Sequence, residues 1–431
     1  MNNVRIKIRE LGMIKESEEI TLNRLMIFSG ESGLGKSYLS IICHYVFAVL
    51  LDGTRIASFF EKNGFDFNEL RKNYHNSGIA IAFKKTDFED WLSKDAIVWL
   101  GYMIGNKSVK GDIRITLPNR IPDQIEITYD EEMTGLGNEV DTYLKLSLPG
   151  LNYRIKDSGG INDESPFAFL FRYYLISVLF DDFKNLSNSF VFPPSRGPIL
   201  TETINPTTGM YVEFKKSLQY LVTAKPNTVN VSNRITSLLQ KVLNGHVSRK
   251  EGQYFYTTEG TSAEMPLSAS AASIRELAPF EFLVENSDIS KTSIMIDEPE
   301  AHLHPLKQRM MADIMACLLS GGAHLQITTH SDYFIRRLNE LILQFQIQKK
   351  NDFKGLKDYF NICNKFNLDP ELCIDESLVS AYLIKRKDAS SSVVVKQDMK
   401  KGVPFSSFYE AINDSLFLRD ELEKLLEDAD Y

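Results

Sequence analysis

The sequence predicts an α/β fold with a core of short buried strands and helices, an antiparallel β lobe and a large inserted helical and β region. Three observations carry this expectation. Near the start a glycine-rich loop joins an apolar strand, residues 24–28, to an apolar helix over 36–51. Far along the chain another apolar strand, 293–296, ends in paired acids. Between them lie four short alternating runs separated by Gly, Pro, Asn and Asp, the pattern of antiparallel strands and turns.

The elements follow in order. Val4, Ile6 and Ile8 alternate with Arg5, Lys7 and Arg9, so residues 4–8 read as a strand with one charged face. Helical pieces are expected around 66–74 and 87–100. The alternating runs are 112–117, 124–129, 142–148 and 152–156. A long apolar helix is expected over 166–185, then a strand at 189–192 stopped by Pro193-Pro194. Helices over 209–223 and 231–243 follow, the second ended by Asn244-Gly245. A hairpin at 246–249 and 253–257, a Ser/Ala-rich segment and a helix at 274–285 lead into the acid-tipped strand. Beyond it come a helix at 305–319, a buried strand at 324–328, a helix at 332–346, a hairpin at 380–385 and 392–396, and a last helix at 415–427.

The chain has 431 residues, 43% of them apolar, and a formal net charge of −8. Length allows two to three domain-sized units. The charge is not that of a strongly basic nucleic-acid binder, although it is unevenly spread. Residues 410–431 hold eight acids and two bases, which leaves the rest near neutral and free to carry a basic groove. Arg336-Arg337, Lys349-Lys350 and Lys385-Arg386-Lys387 are candidates for it, with solvated faces the plainer reading. The acidic helix should dock on the body or on a neighbouring subunit through Ile412, Leu416, Leu422, Leu425 and Leu426. Cys43, Cys317, Cys363 and Cys373 are scattered, which fits a reducing cytosol. The amino terminus reads as a strand rather than a targeting segment. The apolar stretch 167–180 carries Arg172 and is too short to span a membrane. A soluble cytoplasmic protein without a membrane partner is expected.

Gly30-Glu31-Ser32-Gly33-Leu34-Gly35-Lys36-Ser37 fits G-x-x-x-x-G-K-[ST], with Tyr38 opening the helix behind it. The glycines let backbone N–H groups curl around phosphate oxygens, Lys36 reaches the β- and γ-phosphates, and the Ser37 hydroxyl holds Mg²⁺. Asp297 can hold the same ion, and Glu298, one residue on, can act as general base towards a water in line with the γ-phosphate. His302 and His304 read either as metal ligands or as packing and contact residues; without a third partner the zinc signal is weak. Thr328-Thr329-His330-Ser331 ends a second buried strand, and one helix and a return strand separate it from Glu298. His330 can therefore face the γ-phosphate or the attacking water.

Together these elements resemble the ABC-class P-loop ATPase superfamily, on the side of soluble stand-alone members related to the overcoming-lysogenization-defect (OLD) nucleases and the RecF/SMC proteins. Ile296-Asp297-Glu298-Pro299-Glu300-Ala301-His302-Leu303-His304-Pro305 is similar to the group's Walker B and D-loop run. Thr328-Thr329-His330-Ser331 looks like its switch histidine, and Pro193-Pro194-Ser195-Arg196 like a Pro-x-x-Arg segment of soluble relatives. The resemblance implies an ABC-type core, ATP and Mg²⁺ as cofactors, and catalytic Glu298 and His330. It also implies a head-to-tail dimer or higher oligomer with ATP sandwiched between subunits. The signature position looks like 267–277, where Ala271-Ala272-Ser273 replaces the usual Ser-Gly core. There Ser270 or Ser273 either binds the γ-phosphate of a second subunit or merely caps a helix. Arg196 either reaches a phosphate or pairs with an acid.

The expected organisation is a first core segment at 1–54, an inserted β lobe and helical lid at 55–243, a hairpin and degenerate signature segment at 244–290, a second core segment at 291–409 and an acidic helix at 410–431. The leading functional expectation is an ATPase whose nucleotide-dependent assembly controls a separate effector, a nuclease or toxin, in bacterial anti-phage defence. A RecF/SMC-like clamp on DNA, serving repair, is the alternative.

Overall fold

A computed structural model describes residues 4–72, 78–136, 139–156, 165–202, 204–224, 233–350, 353–403, 413 and 415–422. The chain opens with β1 (Arg5–Leu11), β2 (Ile14–Ser17), β3 (Ile20–Thr21) and β4 (Leu25–Gly30), then α1 (Lys36–Leu51), α2 (Gly53–Lys62) and α3 (Phe67–Lys72). Next come β5 (Ile79–Lys84), α4 (Lys85–Met103), β6 (Gly111–Thr116), β7 (Gln124–Leu136), β8 (Glu139–Leu148), β9 (Leu151–Lys156) and α5 (Pro166–Phe180). The middle holds β10 (Asn188–Phe192), α6 (Gly197–Thr201), α7 (Gly209–Thr223), α8 (Asn233–Leu243), β11 (Gly245–Lys250), β12 (Gln253–Thr258) and β13 (Glu264–Pro266). The last part runs α9 (Ala272–Asn286), β14 (Thr292–Asp297), α10 (Pro305–Ser320), β15 (His324–Thr329), α11 (Asp332–Lys349), α12 (Phe353–Phe366), β16 (Val379–Asp388) and β17 (Ser391–Lys396).

One ten-stranded mixed sheet organises the fold, in the order β10-β14-β15-β4-β16-β17-β2-β1-β3, with β6 paired to β1. From β10 to β16 all neighbours are parallel. That half is covered by helices on both faces, which is why its strands read as unbroken apolar runs. β4 shows the two-sided burial: Met26 and Phe28 enter one core with α1, α4 and α5, while Leu25 and Ile27 enter another with α9, α10 and α11. Beyond β16 most pairs are antiparallel, and the alternation of β1 turns Arg5, Lys7 and Arg9 away from the core. The antiparallel lobe expected from sequence is the separate four-stranded sheet β5-β7-β8-β9. Its core-facing side meets a cluster of phenylalanines, with Phe59 edge-on to Phe83 and Phe88, and Phe171 edge-on to Phe60 and Phe83.

Four features depart from expectation. The inserted region is not separate from the main sheet, because β6 and β10 both pair with its strands. The helix starting at Pro166 ends at Phe180, where Asp181 turns left-handed (φ 66°), and a short 3₁₀ turn covers Phe183–Asn185. α12 has no counterpart among the expected elements. The described part of the acidic terminal helix is not buried on the body: Asn413 and residues 415–422 are all exposed, including Leu416, Phe417, Leu418 and Leu422. Ile412, Leu425 and Leu426 lie outside the described residues. No single helix among them is long and apolar enough to cross a membrane; only α1 with α2, bent by 84°, passes by composition, and α1 is core.

Candidate nucleotide site

The carboxyl ends of β4, β14 and β15 lie side by side, with Asp297 paired to Thr328 and Thr329 to Ser29. Ligands of open α/β sheets gather at this edge. The turn after β4 needs positive φ at Gly30 (132°), Gly33 (78°) and Gly35 (106°). A Cβ on Gly30 would lie 2.3 Å from the Ile384 carbonyl oxygen, and one on Gly35 would strike Ile14, so neither tolerates a side chain. Gly33 by contrast faces open space. The loop is braced from beneath by the Ser392 hydroxyl on the Leu34 carbonyl, 2.9 Å. Leu34 itself is buried in the core, and Glu31 turns outward to Arg386, 3.5 Å.

Lys36 is nearly buried and donates to the carbonyls of Gly30 (3.0 Å) and Glu31 (2.7 Å). Burial pulls its ammonium down to about 8, against the charges of Glu298, Asp297 and other acids. The Ser37 hydroxyl donates to both carboxylate oxygens of Asp297, at 3.2 and 3.0 Å. Asp297 also accepts from the Thr328 hydroxyl, and the Glu298 N–H donates to Thr328, so β15 fixes the tip of β14.

Glu298 adopts a left-handed backbone (φ 52°), a strain of roughly 1–2 kcal/mol for a non-glycine residue. That turn lifts its carboxylate out of the strand and sets Oε1 3.3 Å from His330 Nε2. Burial and then the Asp297 charge raise the Glu298 carboxyl above its ordinary value. Burial and then Lys36 lower the His330 imidazole. The two are held apart in proton affinity less than usual, which suits passing a proton. His330 also lies 3.5 Å from the Ser32 hydroxyl.

Glu300 is a residue the sequence reading named in the Walker B run but gave no role. Its buried Oε1 accepts from the Thr329 hydroxyl (2.6 Å) and the N–H groups of His330 (2.9 Å) and Ser331 (3.1 Å). It thereby pins the histidine loop to the Walker B loop. The signal was the third acid of Asp297-Glu298-Pro299-Glu300. Arg196 resolves its two readings in favour of the acid. Fully buried, it pairs with Glu276 of α9 (3.4 Å) and donates to the carbonyls of Glu276 (3.0 Å), Pro193 (3.1 Å), Asp297 (3.3 Å) and Glu298 (3.4 Å). Glu276 also accepts from the N–H groups of Arg196 and Gly197. One guanidinium thus ties α9, the end of β10 and both Walker B acids.

Ser32, Gly33, Gly35, Lys36, Ser37, Tyr38, Glu298 and His330 converge on one cleft of about 500 Å³, with Gly12 and Met13 as its far wall. Ser270 and Ser273 do not line it. The Ser270 hydroxyl donates to the Leu267 carbonyl, and the N-cap of α9 is Ala271, so neither serine is the cap. His302 takes a left-handed turn (φ 63°), and His304 caps α10 by accepting from the Leu306 N–H. Among the described residues no group of three or more His, Cys, Asp or Glu could hold a metal. The candidate basic groove is not assembled: Arg337 is buried on Asp313 and Glu340, Arg336 pairs with Asp332, and Lys387 lies near Glu16.

These residues fit a Mg²⁺–nucleotide. Mg²⁺ takes one or two protein oxygens and completes its shell with water and phosphate, and the Ser37 hydroxyl and Asp297 carboxylate already meet. Open space above Gly33 accommodates phosphate oxygens against backbone N–H groups.

The AAA ATPase domain family (AAA_15) matches residues 199–335, a stretch that holds α9, the Walker B acids and His330 but not the glycine loop. No curated protein sequence matches the chain significantly. Similar solved structures include the SMC head bound to the C-winged helix domain of ScpA (10% identity, TM-score 0.34, covering 93% of this chain and 98% of that one). The SMC head domain from Thermotoga maritima is another (11%, 0.31, 92% and 100%). A third is the SMC head with an extended coiled coil bound to the C-terminal domain of ScpA, derived from Pyrococcus furiosus (10%, 0.33, 96% and 100%). The glycine loop and the acid-tipped strand thus stand at neighbouring strand ends of one mixed sheet, and the second of them lies within the stretch that matches the AAA ATPase domain family.

Proposed function

We propose that this P-loop ATPase binds and hydrolyses ATP with Mg²⁺ and uses nucleotide-dependent assembly to control a separate effector, a nuclease or toxin of a bacterial anti-phage defence system. The observation that carries the enzymatic part is the meeting of Ser37, Asp297, Glu298 and His330 over the Lys36 loop. In this reading the loop N–H groups and Lys36 hold the β- and γ-phosphates, and Ser37 and Asp297 hold Mg²⁺, which neutralises phosphate charge. Glu298 takes a proton from the attacking water as its oxygen bonds to the γ-phosphorus and the bond to the ADP oxygen breaks. His330, oriented by Glu300, senses the departing phosphate.

Assembly is supported by α9. Its first turn is exposed at Ala271 and Ala272, no side chain caps it, and Ser273 follows. A helix end of this kind suits a phosphate presented by a second copy. Arg196 links this helix to Glu298 and so joins partner contact to catalysis.

The test is steady-state ATPase activity alongside mass photometry, with wild type and Glu298→Gln. Hydrolysis by wild type, and an ATP-stabilised oligomer in Glu298→Gln without turnover, are expected. Equal inactivity of both proteins with no nucleotide binding would overturn the enzymatic reading. Hydrolysis without any change of mass would overturn control through assembly.

A further inference from the structure

A second cleft, of about 430 Å³, lies between α4 and the outer edge of β6, away from the nucleotide loop. Among the described residues β6 pairs only with β1, so its other edge carries outward backbone donors. Two of these are taken by α4: the Leu117 N–H donates to Glu89 Oε1 (2.8 Å) and the Ile115 N–H to Ser93 Oγ (2.9 Å). Glu89 and Ser93 are one helical turn apart. The next turn brings Ile97, which has no acceptor; it packs over Gly111 and lines the cleft together with Ile113. Ile113 faces Ile8 across the ladder. Ile8 turns both its backbone groups the other way, its N–H to Ser17 Oγ (2.9 Å) and its carbonyl to the Ser17 hydroxyl (3.3 Å). The Ile8–Ile113 pair therefore exchanges no hydrogen bonds, and the Ile113 N–H points outward with that of Ile115. It opens into the cleft.

Cations surround that donor. Lys7 and Arg114 are directly opposite each other in the β1–β6 ladder, an arrangement that like charges disfavour. Arg114 and Lys94 are exposed and form no ion pair with any described residue. Arg9 sits 3.5 Å from Asp112, Asp90 is the second acid of the lining, and the Lys7 ammonium donates to the Ser17 carbonyl, which leaves Arg114 and Lys94 as the cations without an ion-pair or carbonyl partner among the described residues. Sheet edges with free N–H groups make anion-binding concavities. Among the described residues no aromatic side chain lines the cleft, so a base would find nothing there to stack on and the ligand is read by its charge. An added peptide strand is blocked because α4 already occupies the next two donors along the edge, those of Ile115 and Leu117.

We propose that this cleft is a second phosphate site, in which oxygens of a polyphosphate, free or in a nucleic-acid backbone, meet the Ile113 N–H, Arg114 and Lys94. It is independent of the ATPase reading. The full chain carrying Lys36→Ala, which silences the glycine loop, is titrated with tripolyphosphate by calorimetry and with a fluorescent 20-base-pair duplex by anisotropy, at two salt concentrations. Adding Lys94→Glu and Arg114→Glu should weaken binding by about tenfold or more and flatten its salt dependence. The milder Lys94→Gln with Arg114→Gln should give an intermediate loss, and both pairs should keep the thermal midpoint because these side chains are exposed. Binding of tripolyphosphate alone identifies a free polyphosphate; binding of the duplex, displaced by tripolyphosphate, identifies a backbone. Binding of neither probe, or equal binding by the Glu pair, overturns the site.

Discussion

The two halves of the central sheet place their chemistry differently. From β10 to β16 the strands are parallel, and β4, β14 and β15 are buried on both faces, so no side chain along those three is free to act. Function is pushed to the carboxyl ends, where Gly30, Asp297 and Thr329 emerge in register. From β17 to β3 the pairing is largely antiparallel, one face is wet, and charges stand along the strand as Arg5, Lys7 and Arg9 do. In the first half a residue acts by where its strand stops; in the second by which face and edge it occupies. Substitutions at strand tips should therefore be costly, and those on the wet face mild.

The largest expected effect is at a tip. Glu298→Gln should lower kcat by about 10²–10⁴-fold, the usual worth of a general base, with nucleotide binding retained. Loss of binding instead would mean that the tip is structural. Next comes Arg196→Met, which leaves Glu276 buried without its counter-charge and should cost about 3–5 kcal/mol in a denaturant melt. Arg9→Met, on the wet face, should stay within about 0.5 kcal/mol. Similar costs at both positions would erase the contrast.

A smaller effect follows from pH. Lys36 in the free protein is lowered to about 8 by burial, and phosphate oxygens favour its charged form. Above pH 8 the complex binds more protons than the free protein, so ATP affinity should fall as pH rises. The slope is about tenfold per unit up to the ordinary lysine range, with proton uptake visible by calorimetry in buffers of different ionisation enthalpy. Below pH 8 this contribution should be flat. Ser392→Ala, which releases the Leu34 carbonyl, should cost about 1 kcal/mol and raise the KM for ATP more than it changes kcat. The smallest change is expected at Phe417→Asp, within about 0.5 kcal/mol in a dilute monomer, because that side chain is exposed. A larger loss that grows with protein concentration would show that a neighbour covers it.

The same contrast explains what was legible in the sequence. Strand-tip chemistry is written locally: the glycine loop, Asp297-Glu298 and Thr328-Thr329-His330 each sit in a contiguous run. α1 is observed over Lys36–Leu51, the bounds its apolar run indicates. What joins these runs was not legible. Arg196 lies 80 positions from Glu276 and about 100 from Asp297, and no spacing rule connects them. The placement of β10 at the edge of the main sheet is equally non-local. α12 escaped because its apolar residues are split between faces, Tyr359 and Cys363 buried but Phe360, Ile362 and Phe366 exposed, which blurs the period. The Ile113 donor belongs to neither pattern, since it depends on which way Ile8 faces.

The parallel half also sets a schedule for synthesis. Its strands come from residues 25–30, 188–192, 292–297, 324–329 and 379–388. β4 and the apolar α1 leave the ribosome early, while β15, the neighbour that lies between β4 and β14, follows only after residue 324. At roughly 5–20 residues per second the sheet stays open for about 20–70 s after β4 emerges. During that interval α1 can pack on α4 and α5, but the side it turns to β14 and β15 stays uncovered. The nucleotide loop is among the first parts of the chain made and among the last to acquire its floor.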